Sequence, residues 1–582
     1  MLKQSLALMF ALSAAATAAA QDRRAEAWVE RTLRSMTIDQ KIGQLIVPPV
    51  AGGFRNVESP EFELLRRNLL DLHLGGYHVF GYSSHRPQAG GDAAGVALLI
   101  HDMQRTAKVP LLITADFEGG VGYIIPGATR FPLAMAIGAT GSEELSYQAG
   151  RATAVEGRAL GVNVDFYPVV DVQNNPANPI INIRSFGEDP ARVSALATAY
   201  IRGVQEGGML ATAKHFPGHG DVAQDSHLEL PVLPVDRARL DAIELPPFRA
   251  AIESGVAAVM SAHIYLPALD SEEGLPATLS RNALTVLLRE NLGFKGLIFT
   301  DALDMRGVTL HFTNEEAAIR SVEAGADVVL FPPNVAAAFN GLKTAVASGR
   351  ITEARLDQSV RQILRAKARL GLDRYRAPDF MRLSSVVGSR AHRDLAQTIS
   401  DRAVTLVRDE KSAVPLRLGP DQRLLHINLL DNRFGWREGA VGRVLATELP
   451  SRYPRTSTVQ LDDQSSAAEY EMTRRMADMV DAVVVTAFIR VAAYKGSIDL
   501  TAQQLRLLRE LSALNKPFVF VLFGSPYLLH HVPELPSYML TYDIHPGAEL
   551  AAVKALSGEM PLQGRLPISL PGLYPIGHGL RR

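Results

Sequence analysis

The 582-residue chain contains no cysteine. That excludes a disulfide framework and a lipid-bearing N-terminal cysteine as devices for holding or anchoring the fold. It also lacks an excess of charge. Its 60 basic and 61 acidic residues leave a formal net charge of -1, so nothing global draws it to nucleic acid or to an anionic membrane, and ligand choice must be local. Beyond the first 20 residues no run approaches the roughly 20 uninterrupted apolar residues of a membrane-spanning helix, and neither a short-period repeat nor a long low-complexity tract occurs. What remains is ordinary globular composition, 47% hydrophobic and 21% charged. At this length two domains are expected rather than one core.

The N-terminus reads Lys3, an apolar stretch from Leu6 to Leu12, then small residues ending at Ala18, Ala19 and Ala20. This is the grammar of a secretory signal peptide over residues 1–20, and predicts an exported protein, periplasmic or secreted.

From Gln40 to Pro332 short apolar runs recur, each followed by a stretch of helical length: IGQLIV, GGYHVFGY, PLLITAD, VNVDFYPVVD, MLATAKH, AAVMSAH, GLIFTD and ADVVLFPP. Continuous rather than alternating apolar runs mark parallel strands covered on both faces, and eight in series with helical crossovers predict a (β/α)8 TIM barrel over residues 21–375. Segments 143–160, 190–206, 281–292, 315–324 and 352–370 have helical spacing, with Pro190 suited to a first turn. Residues 376–395 lose periodicity and read as a linker. Residues 396–582 alternate strand-like runs at 424–430, 459–462, 482–489, 517–523 and 538–542 with helix-like stretches at 467–479 and 502–514, the pattern of a smaller αβα sandwich.

In barrels the chemistry sits at the C-terminal ends of the strands. Asp116, Asp171, Lys214, His263 and Asp301 each close a different apolar run, although carboxylates also end strands simply by capping turns. The densest polar segment is Lys214 to His227, KHFPGHGDVAQDSH, with three of the 15 histidines in 14 residues. Pro217, Gly218 and Gly220 forbid a helix there, making it a loop after the fifth strand. The loop dismantles the helical face that would let His215 and His219 chelate zinc, so no metal is expected. The Gly-Lys-Ser/Thr ending of a phosphate-binding loop is missing as well. A purely structural histidine cluster stays open at this point.

KHFPGHGDVAQDSH, followed by LELP and taken together with INIRSFGEDP from Ile181 and IFTDALDM from Ile298, resembles the exo-acting β-N-acetylglucosaminidases of glycoside hydrolase family 3. The similarity runs from about Met36 to Pro332 and continues more weakly beyond, where the ending GRLPISLPGLYPIGHGL resembles the tail of two-domain relatives. The resemblance implies Asp301 as nucleophile and His227 as acid/base assisted by Asp225. Asp116, Arg184, Lys214 and His215 are implied as substrate-binding residues, with no cofactor and no metal. It implies a carbohydrate partner, an N-acetylglucosamine-containing oligosaccharide from peptidoglycan or chitin. The chemistry is coherent. Glycoside cleavage needs an anion against the oxocarbenium-like carbon and a proton donor for the leaving oxygen, and an imidazole oriented by a carboxylate can donate and recover a proton near neutral pH. Two residues apart in an extended loop, Asp225 and His227 would face one side.

The chain departs from the family pattern at EGGVGYIIPGATRFP, where a basic sugar contact is absent at Val121 or Ile124 and Arg130 need not replace it, and at Ala302, where many relatives carry a second aspartate. Glu118 reads either as a support for Asp116 or as a structural carboxylate, Met305 either as packing on the sugar or as plain core, and Asp171 and His263 sit at strand ends with no readable role. Three other functions stay open: a β-glucosidase or β-xylosidase of the same family, a phosphorylase releasing a sugar 1-phosphate, and an inactive wall-binding protein. Nothing in the sequence speaks to oligomeric state.

Overall fold

A computed structural model of the chain describes residues 23–80, 91–374, 380–431, 441–491, 495 and 499–582. The expected signal peptide therefore lies outside the described residues, apart from which the N-terminal unit is built as a closed parallel barrel. Its strands are β1 (Ile46–Val47), β2 (Pro49–Ala51), β3 (Gly76–Phe80), β4 (Leu112–Ala115), β5 (Val164–Asp165), β6 (Leu210–Phe216), β7 (Ala258–Ser261), β8 (Leu297–Phe299) and β9 (Val329–Leu330). Neighbours run in the order β2 to β8, and β1 pairs with β9. A parallel bridge between Phe299 and Val328 joins β8 to β9. Only Pro48 separates β1 from β2, so these two form one rung and the sheet closes.

The first rung starts later than the apolar run suggests. Thr37 and Gln40 form a reciprocal capping box that winds Ile38–Gln44 into a helix, and the strand begins only at Ile46. The crossovers follow their caps. Ser142 opens Glu143–Leu160, Asp189 with Pro190 opens Pro190–Glu206, and Thr352 opens Glu353–Arg369, each side-chain oxygen accepting a backbone N–H of the first turn.

The second unit is a six-stranded sheet ordered β10-β15-β14-β13-β11-β12, from β10 (Thr405–Asp409), β11 (Leu424–Leu430), β12 (Thr456–Leu461), β13 (Ala482–Ile489), β14 (Phe518–Gly524) and β15 (Ser537–Leu540). All pairings are parallel except β10 with β15. Strand β13, AVVVTAFI, is buried throughout. Its one hydroxyl, on Thr486, is satisfied by Asn428 Oδ1 at 3.0 Å and His426 Nε2 at 2.9 Å. Strand β10 was not expected from the sequence: TLVRD is short and carries charges, and it qualifies as a strand only through its antiparallel register with β15.

The expected linker is also corrected. Residues 376–379 lie outside the described residues, but 380–386 and 390–403 are helical. Ser389 caps the second helix, whose Ala396, Ile399 and Ala403 are buried. The apolar stripe was overlooked because charged residues interrupt it at short intervals. No helix among the described residues is long and apolar enough to cross a membrane.

The two units share a core. Leu133, Met135, Ala136 and Ile183 of the barrel pack in one buried cluster with Val483, Tyr538 and Leu566 of the second unit. The tail closes the seam: Glu188 N–H donates to the Pro567 carbonyl at 3.1 Å, and Ser569 Oγ to Glu188 Oε2 at 2.8 Å.

At the other end of the barrel, Lys367 is wholly buried and donates from Nζ to Gln44 Oε1 at 2.6 Å. Burial lowers its pKa from 10.5 to about 7. The unfolded chain thus holds the extra proton between those values, so stability rises with pH across that window and is flat below it. Lys367→Met is expected to raise Tm at pH 7 and to flatten the dependence of Tm on pH between 7 and 10, measured by thermal denaturation. An unchanged slope would reject this assignment.

Candidate active site

The strand ends of β4, β5, β6 and β8 bring the predicted residues to one mouth. Asp116 follows β4, Lys214 lies within β6, and Asp301 follows β8. Asp116 is the accessible one of its group, with a side chain 39% exposed against 3% for Lys214 and 5% for Glu118. Lys214 Nζ donates to Asp116 Oδ1 and also pairs with Glu118 Oε1, both at 2.7 Å. Arg184 meets Glu118 through two parallel bonds of 2.8 Å, Nε to Oε2 and Nη2 to Oε1, and sends Nη1 to the Ile180 carbonyl. Such fork geometry is strong and directional.

Glu118, which the sequence leaves between a supporting and a structural role, is thus the hub of the cluster. Burial by itself would push its carboxyl up, yet Arg184 and then Lys214 hold it far below the usual carboxylate range. Burial would likewise depress both cations, and their carboxylate neighbours keep both raised. Two cations and two carboxylates balance within one mostly dry cluster, the condition under which buried charge is tolerable. A signal existed in DFEGG: Asp116 and Glu118, two apart, share one side of extended backbone.

Asp171 has a similar task. Its Oδ2 lies 2.7 Å from His215 Nδ1, and its Oδ1 accepts the His219 N–H at 2.7 Å and the His215 N–H at 3.2 Å. It is fully buried, which opposes ionisation, but His215 chiefly, and then His219, hold its pKa below the ordinary value. The chain here passes through cis peptides at Lys214–His215 and Phe216–Pro217. Gly220 lacks a side chain for a packing reason, since a Cβ would overlap the Val172 carbonyl oxygen. His219 turns its Nε2 to Ser226 Oγ at 3.0 Å, and burial lowers its pKa to about 4. His215 and His219 therefore serve two different partners.

Asp225 and His227 do converge, but through a turn rather than the extended loop expected. Asp225 Oδ1 accepts the His227 backbone N–H at 2.9 Å and contacts His227 Nδ1 at 2.7 Å, while the Leu228 N–H donates to the Asp225 carbonyl. An aspartate bonding the backbone two residues on is itself a turn-former. The Asp225 side chain is 1% exposed and that of His227 is 22% exposed, so the imidazole faces the mouth with its carboxylate behind it.

Asp301 is partly accessible, and its Oδ1 accepts the Ala302 N–H at 2.8 Å. Burial opposes its charge, but the fields of His215 and His263, that N–H and His227 keep its pKa below the ordinary aspartate value. His263 is tied to Thr278 Oγ1 at 2.8 Å and the Ala302 carbonyl at 2.9 Å, and so braces the loop that carries Asp301. His78, another group not singled out in the sequence, lies 3.0 Å from Thr114 Oγ1 and 3.5 Å from Asp116 Oδ2, with burial lowering its pKa to about 4. Met305 is plain buried packing. Arg130 does not replace a basic sugar contact: its guanidinium is turned to backbone carbonyls and to Asp543.

Residues 37–366 match the model of the glycosyl hydrolase family 3 N-terminal domain. The chain belongs to glycosyl hydrolase family 3. Over 555 residues, 93% of this chain and 95% of the other, it is 32% identical to a β-N-acetylglucosaminidase/β-glucosidase of Cellulomonas fimi. The solved structure of a family 3 β-N-acetylglucosaminidase from a Paenibacillus strain superposes with a TM-score of 0.81 at 34% identity, covering 92% of this chain and 99% of that one. A β-glucoside phosphorylase superposes with a TM-score of 0.83 at 27% identity, covering 94% and 97%. Both units therefore share the family's architecture, a TIM-like barrel with a companion sandwich.

Glu118→Gln in this family 3 site leaves two buried cations short of one counter-charge. Stranding a buried charge costs about 3–5 kcal/mol. The variant is expected to melt several degrees lower and to lose roughly two orders of magnitude in kcat/KM, since misplacing groups that hold substrate is that costly. Glu118→Asp should recover part of both. Rates and Tm within error of the parent would remove Glu118 from the role of hub.

Proposed function

We propose that the protein is a retaining exo-glycosidase that removes terminal non-reducing β-linked N-acetylglucosamine, a β-N-acetylhexosaminidase. The observation that carries this is the pairing, at one barrel mouth, of an ionised and partly accessible Asp301 with the His227–Asp225 dyad. Family membership and the names of the relatives support the sugar. In this reading Asp301 attacks the anomeric carbon as His227 Nε2 gives its proton to the leaving oxygen, and the C–O bond breaks to leave a glycosyl ester on Asp301. Water then attacks the anomeric carbon as His227 takes one of its protons, and the bond from that carbon to Asp301 breaks to release the carboxylate. Asp225 holds Nδ1 and steadies the imidazolium that forms and disappears.

Asp116 accepts hydrogen bonds from a pair of sugar hydroxyls on its accessible carboxylate, steadied by Lys214 and His78, while Arg184 and His215 shape the adjoining wall. A site built to bond hydroxyls rejects analogues that lack them, because its own polar groups are left unmatched. The N-terminal 20 residues support export and, with it, wall-derived or chitin-derived oligosaccharides as substrate. The likeness to a β-glucoside phosphorylase favours one further reading, phosphate in place of water as acceptor.

Turnover of an aryl β-N-acetylglucosaminide should exceed that of the aryl β-glucoside, and Asp301→Asn should abolish it. Equal glucoside turnover would reject the amino-sugar assignment, and sugar 1-phosphate formed on adding phosphate would move the reaction to phosphorolysis. His227→Ala should lose at least about a hundredfold on substrates with poor leaving groups, the usual scale of acid–base catalysis, but little in the glycosylation step with a dinitrophenyl leaving group. With that leaving group the acid limb of kcat/KM reports Asp301, and because its pKa is held below the ordinary aspartate value by the neighbouring histidines and the Ala302 N–H that limb should fall at lower pH than an ordinary aspartate would give. An acid limb near neutrality would contradict this assignment.

A further inference from the structure

The loop that carries Asp116 and Glu118 is tied to the second domain. Glu118 runs directly into Gly119, whose carbonyl accepts the Phe131 N–H at 2.8 Å and faces Arg130 Nη1 at 3.5 Å. The same Nη1 donates to the Phe131 carbonyl at 2.7 Å. A Cβ on Gly119 would occupy the place of that guanidinium nitrogen. The Tyr123 ring covers the guanidinium, its centroid 4.6 Å from Arg130 Cζ. On the far side stands Asp543 of the second domain, wholly buried, with Oδ1 3.4 Å from Arg130 Nη2 and Oδ2 accepting the Leu133 N–H at 2.7 Å.

Asp543 is held in place at a conformational cost. Tyr542 immediately before it has φ of 62°, a left-handed backbone that a bulky side chain rarely adopts and that surrounding structure must enforce. The Thr541 hydroxyl bonds the Asp543 carbonyl at 3.0 Å, and the Ile544 N–H donates to Asp543 Oδ1 at 2.6 Å. The chain thus bends out of its preferred conformation to present one carboxylate to the barrel. Local strain of this kind gathers where a precise presentation is required.

We infer that Asp543 is a positioning residue for the sugar-binding carboxylates: through Arg130 it fixes the segment from Asp116 to Phe131, so the second domain sets substrate affinity without touching substrate. The path is short and contiguous. Asp543 orients Arg130, Arg130 and Phe131 hold Gly119, and Gly119 fixes the approach of Glu118 and Asp116 to Lys214. This positioning role rests on the proposed reading of Asp116 as a sugar ligand.

The test uses the full chain with Asp543→Asn, which keeps an acceptor for the Leu133 N–H but removes the charge facing Arg130, and with Arg130→Lys, which approaches the same link from the barrel side. Each is expected to raise KM for the aryl β-N-acetylglucosaminide about tenfold with kcat within about twofold, a split that loss of folded protein would not produce. Combined, they should cost little more than either alone, as expected for residues acting in one chain of contacts. Hydrogen exchange supplies a readout that needs no activity: backbone amides between Phe117 and Phe131 should exchange faster in Asp543→Asn, while those of β6 stay protected. If the parent turns over no glycoside yet exchange rises in this segment, the functional proposal fails and the coupling stands. Unchanged KM, additive losses, or unchanged exchange between Phe117 and Phe131 would each overturn the inference.

Discussion

Glu118 accepts a forked pair of bonds from Arg184 and a third contact from Lys214, inside a space from which water is largely excluded. Remove that carboxylate and two cations face each other across a low-dielectric gap, where like charge is far more costly than in water. Keep it, and both cations become fixed points. Lys214 then orients Asp116, the accessible carboxylate of the group. Arg184 anchors the segment that runs on through Gly187 into the seam with the second domain. The cluster is held in place by charge balance, and the mouth above inherits its geometry.

Around that fixed floor, each functional side chain has a dedicated support. Asp171 holds His215, Asp225 holds His227, His219 holds Ser226 between the dyad members, and His263 holds the loop of Asp301. Asp171, Asp225 and His263 are more buried than the groups they hold, so the more accessible side chains rest on inaccessible ones. Preorganisation of this kind is what a reaction through a charged transition state needs, because donors and acceptors need not rearrange as charge develops. The second domain takes part in the same logic, since its core is continuous with the helix that follows the Asp116 segment.

The barrel was legible because its parallel strands are buried on both faces and so appear as unbroken apolar runs, with polar residues at their ends. Asp116, Lys214, His215, Asp225, His227 and Asp301 all lie at those ends or in the Lys214–His227 loop, while Arg184 lies apart from both, in the short helix Asn182–Arg184. Less legible were features made by pairing rather than by pattern. Strand β10 exists through β15, the helices from Phe380 onward pack through a stripe interrupted by charge, and the first rung yields its opening residues to a capping box. The roles of Glu118 and Asp171 were not fixed by the sequence, because a carboxylate's burial is invisible until its neighbours are placed.

The sequence by itself determined the barrel, the companion sheet and the candidate groups at the mouth, since these depend on local periodicity and on residue type. Tertiary structure alone decided which carboxylates are accessible at the mouth and which are buried against other charges. Asp116 and Glu118 are two residues apart and chemically near-identical, yet one is accessible and the other sealed beneath it. Arg130 would pass in sequence for a sugar contact and is instead committed to Asp543, 413 residues away along the chain. Contacts of that range set burial, burial sets the strength of each charge interaction, and neither can be computed from a residue's near neighbours in sequence.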